Sequence, residues 1–96
     1  MKIVTLVSAH VDEDSAQELV AAFEALLAVG LPDGLLRTEL LGDGNGSWVI
    51  SSTWRDQDAL DAMRAAPAPP AAPALFRRFK ADPTLTVMRV VVGSAE

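Results

Sequence analysis

The pattern of apolar and polar positions divides the chain into short strands and amphipathic helices. Apolar or β-branched runs bounded by turn-forming residues predict four strands, at residues 2–10, 35–41, 47–54 and 84–92. Apolar residues at helical spacing predict one helix after the first strand and another after the third. This βαββαβ order, with right-handed crossovers, predicts an α+β ferredoxin-like fold whose four-stranded antiparallel sheet has the strand order 4-1-3-2.

Local signals mark the ends of the two main helices. Ser15 followed by Glu18 fits a capping box at the start of the first helix, which is expected to end at the glycine- and proline-containing segment 30–34. Asp56 is the expected N-cap of the second helix, which is predicted to run to about Ala66.

The proline-rich segment Pro67–Pro73 interrupts the helical pattern, because closely spaced prolines do not fit inside a regular helix. Two interpretations remain open, a stiff connector and a lid or rim over a pocket. A short helix is expected to resume through Leu75 and Phe79 and to end at Asp82-Pro83.

Alternation along the strands assigns residues to the two faces of the sheet, with the hairpin turn 42–46 centred on Gly44. The face expected under the helices carries Val4, Leu6, Ser8, Leu36, Thr38, Leu40, Trp48, Ile50, Ser52, Trp54, Met88 and Val90. The opposite face would carry Ile3, Thr5, Val7, Leu35, Arg37, Glu39, Val49, Ser51, Thr53, Val87, Arg89 and Val91. It is too apolar to face water, so a second copy is expected to cover it in a two-fold homodimer. Arg37, Glu39 and Arg89 would then pair within or across the dimer, or lie in solvent at its rim.

Size and charge narrow the range of functions. The 96 residues fit one domain spanning residues 1–96. With 8 basic and 13 acidic residues the net charge is −5, which disfavours nucleic acid and anionic membranes as partners. The absence of cysteine excludes a disulfide scaffold and a thiolate metal site. Because no signal peptide and no apolar run of spanning length are recognisable, a cytoplasmic location is expected.

Trp54, at the end of the third strand, is the main candidate for a binding pocket. An indole can stack on a planar molecule and carries one N–H donor, although it can equally anchor the strand against the second helix. Ser8 and Ser52 are polar residues on the expected helix-facing side, and their hydroxyls would bond backbone, water or a ligand. Further candidates for the pocket wall, or for the core, are Met63, Phe76 and Phe79.

His10 is the candidate general base, because it is the only side chain of the chain whose unperturbed pKa lies near neutrality. Antiparallel pairing places it at the opposite end of the sheet from Trp54, so a solvated strand-end histidine is the competing interpretation. The consecutive carboxylates Asp12–Asp14 are interpreted as helix-start residues rather than metal ligands, so no metal is expected.

Several segments match a known family in order and spacing. Residues 52–62, Ser-Thr-Trp-Arg-Asp-Gln-Asp-Ala-Leu-Asp-Ala, combine a strand-end tryptophan, an acidic helix start and an Ala-Leu pair. Residues 30–36 precede the second strand, residues 40–43 enter the hairpin, and Ala65-Ala66-Pro67 follows the second helix. On these residues the chain resembles the antibiotic biosynthesis monooxygenase family of dimeric α/β barrels, over nearly its whole length.

The resemblance implies a homodimer that oxidises an aromatic polyketide or quinol with molecular oxygen and without a metal, flavin or other cofactor. Three departures bear on this. The family commonly has a histidine in the second helix where this chain has Met63, so the heme degradation of some members is not expected. Quinone-forming members surround the tryptophan with Asn, Tyr and Arg side chains. Here there is no tyrosine, and the only asparagine is Asn45 in the hairpin.

Three functions are therefore consistent with the sequence. The first is a cofactor-independent monooxygenase acting on an aromatic polyketide or quinol-type molecule. The second is a non-catalytic small-molecule-binding or structural dimer of the same fold, which the missing side chains favour. The third is a polyketide cyclase or isomerase, because related barrels carry out such reactions.

Overall fold

A single antiparallel sheet with helices on one face makes up the molecule, which a computed structural model describes over residues 1–94. The elements are β1 (Ile3–His10), α1 (Ala16–Val29), β2 (Leu35–Gly42), β3 (Ser47–Trp54), α2 (Gln57–Ala65), α3 (Ala71–Arg78) and β4 (Thr84–Arg89). The strands lie in the order β2-β3-β1-β4, which confirms the predicted α+β ferredoxin-like topology. Within residues 1–94, no helix is long and apolar enough to cross a membrane.

The start of α2 is capped as the sequence predicts, whereas the start of α1 is not. One carboxylate oxygen of Asp56 accepts a hydrogen bond from the backbone N–H of Ala59 at 2.9 Å, which confirms Asp56 as the N-cap. The predicted capping box at Ser15 is wrong, because the Ser15 side chain makes no capping hydrogen bond. A 3-10 turn over Glu13–Ser15 precedes α1, so the backbone at Ser15 is already helical and lacks the extended conformation that a capping side chain needs.

The Asp56 cap predicts a pH-dependent stability. The pKa of the Asp56 carboxyl lies below its ordinary value, mainly because the Ala59 N–H donates to it and also because Arg55 lies beside it. A carboxyl with a lowered folded-state pKa stabilises the fold above its unfolded pKa of about 3.9, and this contribution is lost as the pH falls through the folded value. We expect Asp56→Asn, which keeps a capping oxygen, to melt below the wild type at neutral pH, and we expect the difference to vanish under acid. A difference in melting temperature that stays constant with pH would contradict this account.

The hairpin between β2 and β3 is centred on Asn45, one residue later than expected, because Gly42 pairs with Trp48. Gly44 and Gly46 have φ angles of 80° and 93°, in the left-handed region that favours glycine. Moving the centre by one residue shifts the pairing by two positions, so the faces predicted for most of these two strands remain correct.

The predicted faces of β1 and β4 are wrong. Ile3 pairs with Trp54 and Thr5 with Ser52, so the odd-numbered residues of β1 lie under the helices. A register shift after Leu35 puts that residue on the same side. The helix-facing side therefore carries Ile3, Thr5, Val7, Leu35, Thr38, Leu40, Trp48, Ile50, Ser52, Trp54, Leu85, Val87 and Arg89. Both sets of residues in β1, and both sets in β4, mix apolar with polar side chains, so alternation could not decide which set faces the helices.

The core forms in two adjoining groups beneath the helices. The larger group joins β1 and β3 to α1 and α3, and its buried members are Val7, Val11, Leu19, Phe23, Ile50, Leu75 and Phe76. In the smaller group, Trp54 packs with Ile3, Ala59 and Leu60. Phe79 is half-buried and packs against the larger group.

The opposite side of the sheet, here called the open face, has no helix over it. It carries Val4, Leu6, Ser8, His10, Arg37, Glu39, Leu41, Val49, Ser51, Thr53, Thr84, Thr86 and Met88. Arg37 and Glu39 form an ion pair of 2.8 Å within β2 on this face. Arg89 is paired with Ile3 and belongs to the helix-facing side, so the expected grouping of Arg89 with Arg37 and Glu39 is wrong.

Candidate functional site

A cavity of about 280 Å³ lies between the helix-facing side of the sheet and the helices. This size is near the lower end of the range of about 300–1,000 Å³ that is common for small-molecule sites. Its floor comes from the sheet, and its walls come mainly from apolar side chains of α1, α2 and the first turn of α3. Apolar wall residues include Phe23, Leu26, Leu60, Met63 and Leu85.

A row of three hydroxyl side chains crosses the floor of this cavity. Thr5 pairs with Ser52 and Ser52 pairs with Thr38, so the three residues lie side by side on neighbouring strands. Thr5 and Ser52 are only 5% and 6% exposed. Buried hydroxyls need hydrogen-bond partners, and this row supplies some of them internally.

The hydrogen bonds of the row leave donors available to a ligand. The Trp54 indole N–H donates to the Thr5 hydroxyl oxygen at 3.2 Å, and the Thr38 and Ser52 hydroxyl oxygens are 2.9 Å apart. Because Thr5 is the acceptor in its hydrogen bond with the Trp54 indole, the hydrogen of its own hydroxyl group remains free to donate. One hydroxyl of the Thr38–Ser52 pair likewise keeps its hydrogen, whichever of the two donates. The floor can therefore donate up to two hydrogen bonds to a ligand oxygen.

Trp54 is held at the edge of the cavity by the join between β3 and α2. The backbone N–H of Arg55 donates to the carbonyl of Gly34 at 2.8 Å, which ties this join to the start of β2. Gly34 has a φ of 83°, and a Cβ atom there would collide with Ala59 at the start of α2. The glycine therefore permits a close approach that brings β2, Trp54 and the first turn of α2 together.

The cavity is open to solvent at the end of α1 and the end of α2, where several of its lining residues are exposed, and this opening is here called the mouth. Leu27, Val29 and Leu31 line it from the α1 side, and all three are exposed. Arg64, in the last turn of α2, lines it from the other side. Among the lining residues, all of which belong to the described range 1–94, Arg64 is the only one with a charged side chain.

The last four residues of the proline segment form part of the cavity lining. Pro70–Pro73 line the cavity, and α3 begins within this segment at Ala71. The expectation that these prolines all precede the helix is therefore wrong for Pro73. Pro73 lies in the first turn of α3, where its missing N–H would have no intrahelical partner in any case.

The structure brings some of the sequence-predicted site residues to the cavity and not others. Trp54, Ser52 and Met63 line it. Ser8 does not, because it lies on the open face, opposite Val49. Phe76 and Phe79 belong to the core beneath the helices and are not part of the lining.

His10 is remote from the cavity. It is exposed, pairs with Ser47 at the hairpin end of the sheet, and its imidazole lies against Gly46. Asp43 lies nearby. The pKa of its carboxyl lies below the ordinary value because backbone N–H groups donate to it, and the N–H of Asn45 has the largest effect. In the part of the chain that the structure describes, no group of three or more His, Asp or Glu side chains could hold a metal ion.

Sequence reasoning missed Thr5, Thr38 and Arg64 as site residues. Thr38 was assigned to the helix-facing side, and a search for hydroxyls on that side would have found it. Thr5 was assigned to the opposite face by the sequence, so its position beside Ser52 was not predicted. Arg64 lies at the end of a helical pattern, where a cation is ordinarily explained by the helix dipole.

Comparison with protein families identifies the family to which this chain belongs. Residues 2–74 match the model of the antibiotic biosynthesis monooxygenase family, a range that contains the whole hydroxyl row, Trp54 and Arg64. The chain belongs to the antibiotic biosynthesis monooxygenase family. No curated protein matches the chain significantly.

Solved structures share the fold. A Deinococcus radiodurans protein described as an antibiotic biosynthesis monooxygenase is 18% identical, with a TM-score of 0.73 over 98% of this chain and 95% of that one. SnoaB, a cofactor-independent oxygenase from Streptomyces nogalater, is 19% identical, with a TM-score of 0.69 over 99% and 98%. A heme-degrading protein from Mycobacterium tuberculosis is 23% identical, with a TM-score of 0.70 over 99% and 100%. At these identities the likeness establishes the fold alone.

Proposed function

We propose that this protein is a cofactor-independent monooxygenase that oxidises an aromatic polyketide or quinol-type small molecule in the cavity beneath its helices. The observation that carries the proposal is the hydroxyl row of Thr5, Ser52 and Thr38 on the floor of an otherwise apolar cavity, next to Trp54. Family membership supports the reaction class, and the fold is also that of SnoaB, which is described as a cofactor-independent oxygenase.

In this proposal the substrate is recognised by its shape and by one oxygen atom. Its rings lie against the Trp54 indole and the apolar wall, since aromatic pairs prefer stacked or edge-to-face contacts. A carbonyl or phenolic oxygen accepts hydrogen bonds from the hydroxyls of Thr5 and of the Thr38–Ser52 pair. A polar group in this position fixes the orientation of an otherwise apolar molecule.

The same hydrogen bonds would assist the chemistry. When the methylene carbon that lies across the ring from the carbonyl, and is conjugated with it, loses a proton, negative charge moves to the carbonyl oxygen, and donors preorganised around that oxygen stabilise it. The carbanion then reacts with molecular oxygen. Overall, the methylene carbon loses two hydrogen atoms and gains one oxygen atom as a carbonyl, and the second oxygen atom leaves as water. The proton passes to water at the mouth, because no carboxylate or imidazole lines the cavity in the described part of the chain.

A homodimer is part of the proposal. The apolar residues of the open face, among them Leu6, Val49 and Met88, need a cover, and the family is one of dimeric barrels. The Arg37–Glu39 ion pair neutralises the charge that β2 brings to this face. The net charge of −5 supports the absence of nucleic-acid and anionic-membrane partners, and a cytoplasmic location remains part of the proposal.

One observation favours a second candidate function, a non-catalytic small-molecule-binding or structural dimer of the same fold, over the remaining alternative of a polyketide cyclase or isomerase. Arg64 is the only ionisable side chain among the described residues that line the cavity, so no side chain there can act as a general base near neutral pH. A protein that only binds its ligand needs no such group. A cyclase would have to rely on the hydroxyl row alone.

Oxygen uptake separates these candidates. Metal-free protein is mixed with anthrone-like and quinol substrates, and oxygen consumption is measured above the rate in buffer. The monooxygenase proposal predicts enzyme-dependent uptake that falls in Ser52→Ala and persists in Ser51→Ala. Ser51 is the matched control because it is the adjacent serine on the open face, outside the cavity. Binding of the same compounds without uptake would instead support a binding protein or a cyclase.

A further inference from the structure

Arg64 is a cation at the mouth of an apolar cavity, and it has no partner among the residues that the structure describes. It is exposed in the last turn of α2, and within residues 1–94 its guanidinium makes no hydrogen bond or ion pair. The nearest acidic residue along the same helix, Asp61, accepts a hydrogen bond from Gln57 at 2.8 Å instead. An arginine whose five donors are unused on the protein can receive a planar anion in a bidentate arrangement.

The helix dipole does not by itself account for Arg64. A cation in the last turn of a helix is stabilised by the dipole wherever its side chain points. The last turn of α3 carries Arg77 and Arg78 in the same electrostatic setting, and neither lines the cavity. Arg64 thus differs from them in its position at the cavity, which makes Arg77 a suitable control.

The charges around the cavity favour an anionic ligand at this one point. The chain carries 13 acidic residues and a net charge of −5, yet no carboxylate lines the cavity within the described range. At the mouth an anion meets a single arginine, and the exposed Leu27, Val29 and Leu31 line the same cavity. A ligand whose rings cover these apolar side chains would exclude water beside the guanidinium, and the attraction between opposite charges is stronger where water is excluded.

We infer that the ligand of this cavity is an amphiphilic aromatic carboxylate. Its ring oxygen accepts hydrogen bonds from the hydroxyl row on the floor, its rings fill the apolar middle, and its carboxylate lies at the mouth against Arg64. The inference rests on the proposed function for the cavity itself, and it adds the charge and the orientation of the molecule that enters it.

The test compares one ring system with and without the charge. Anthraquinone-2-carboxylate and anthraquinone-2-carboxamide are titrated separately into the wild-type protein, and each dissociation constant is measured by calorimetry. We expect the carboxylate to bind about tenfold more tightly than the amide, the advantage that a charge-assisted hydrogen bond typically gives over a neutral one. The preference is expected to disappear in Arg64→Gln, to remain in Arg77→Gln, and to weaken at high salt.

The outcomes distinguish the role of Arg64 from the binding of ligands by the cavity as a whole. Equal binding of carboxylate and amide by the wild type would overturn the role of Arg64 and leave the cavity as a binding site. A carboxylate preference that survives Arg64→Gln would also overturn it, because the charge would then be recognised elsewhere. Absence of binding by either compound, in protein shown to be folded, would overturn the inference together with the ligand class proposed for the cavity.

Discussion

Replacing Trp54 with alanine is expected to destabilise the fold by about 3–5 kcal/mol, the usual cost of truncating a buried aromatic side chain. Trp54 is 4% exposed and is the largest member of the core group formed with Ile3, Ala59 and Leu60. Its loss removes one wall of the cavity and the donor to Thr5 together. For a small domain with a total stability of about 5–15 kcal/mol, this is a large fraction. The measurement is the free energy of unfolding in denaturant.

The milder variant Trp54→Phe isolates the hydrogen bond, and Trp48→Phe is its matched control. The indole N–H of Trp54 donates to Thr5, whereas that of Trp48 is buried with no hydrogen-bond partner in the described structure. Both variants remove the same atoms, but only the first breaks a hydrogen bond. We expect Trp54→Phe to cost about 1 kcal/mol more than Trp48→Phe. Because stacking geometry also changes, ligand binding should weaken about tenfold in Trp54→Phe alone.

Equal destabilisation by the two phenylalanine variants would mean that the Trp54–Thr5 hydrogen bond contributes nothing measurable. Unchanged ligand affinity in Trp54→Phe, with the cavity otherwise intact, would remove the indole from the binding surface. Either result would leave Trp54 as a core residue only, which is the competing interpretation that the sequence allowed.

Replacing Val49 with lysine is expected to convert the proposed homodimer into a monomer. Val49 lies on β3, a central strand, between Ser8 and Leu41 on the open face. In a monomer the new ammonium group would reach water, so folding should be little affected. In a face-to-face dimer it would be buried without a partner, at a cost of several kilocalories per mole from each copy.

Sedimentation or light scattering measures this effect directly. The wild type is expected at twice the chain mass of 10.2 kDa and Val49→Lys at the chain mass itself. Val20→Lys, the same change at an exposed valine of α1, is the control and should remain dimeric. A wild-type protein that is already monomeric at micromolar concentration would contradict the dimer, as would a Val49→Lys variant that stays dimeric.

The sequence predicted the elements well because their signals are local. β3 was predicted at the bounds it has, and the Asp56 cap follows from a single acidic residue before a helical pattern. The strand order followed from the sequence of elements and from the handedness of crossovers. The prediction of a Ser15 cap was wrong because a 3-10 turn precedes α1 and changes the backbone at that residue. No local sequence pattern indicated this turn.

The site was only partly predictable because it depends on register between distant strands. Trp54 and Ser52 were assigned to the correct side, since β2 and β3 are joined by a short hairpin that fixes their pairing. β1 has no such constraint, and each of its faces combines apolar side chains with a hydroxyl side chain. Ser8 was therefore chosen in place of Thr5, which is the residue that bonds Trp54.

The origin of the oxygen atom in the product tests directly whether the protein is a monooxygenase that acts in this cavity. An anthrone substrate is incubated with metal-free protein under ¹⁸O₂, and the product is analysed by mass spectrometry against Trp54→Ala and a buffer blank. The account predicts enzyme-dependent formation of the quinone with one ¹⁸O atom in its new carbonyl group. A product without label, or product formed at the same rate in the blank, would contradict a monooxygenase that acts in this cavity.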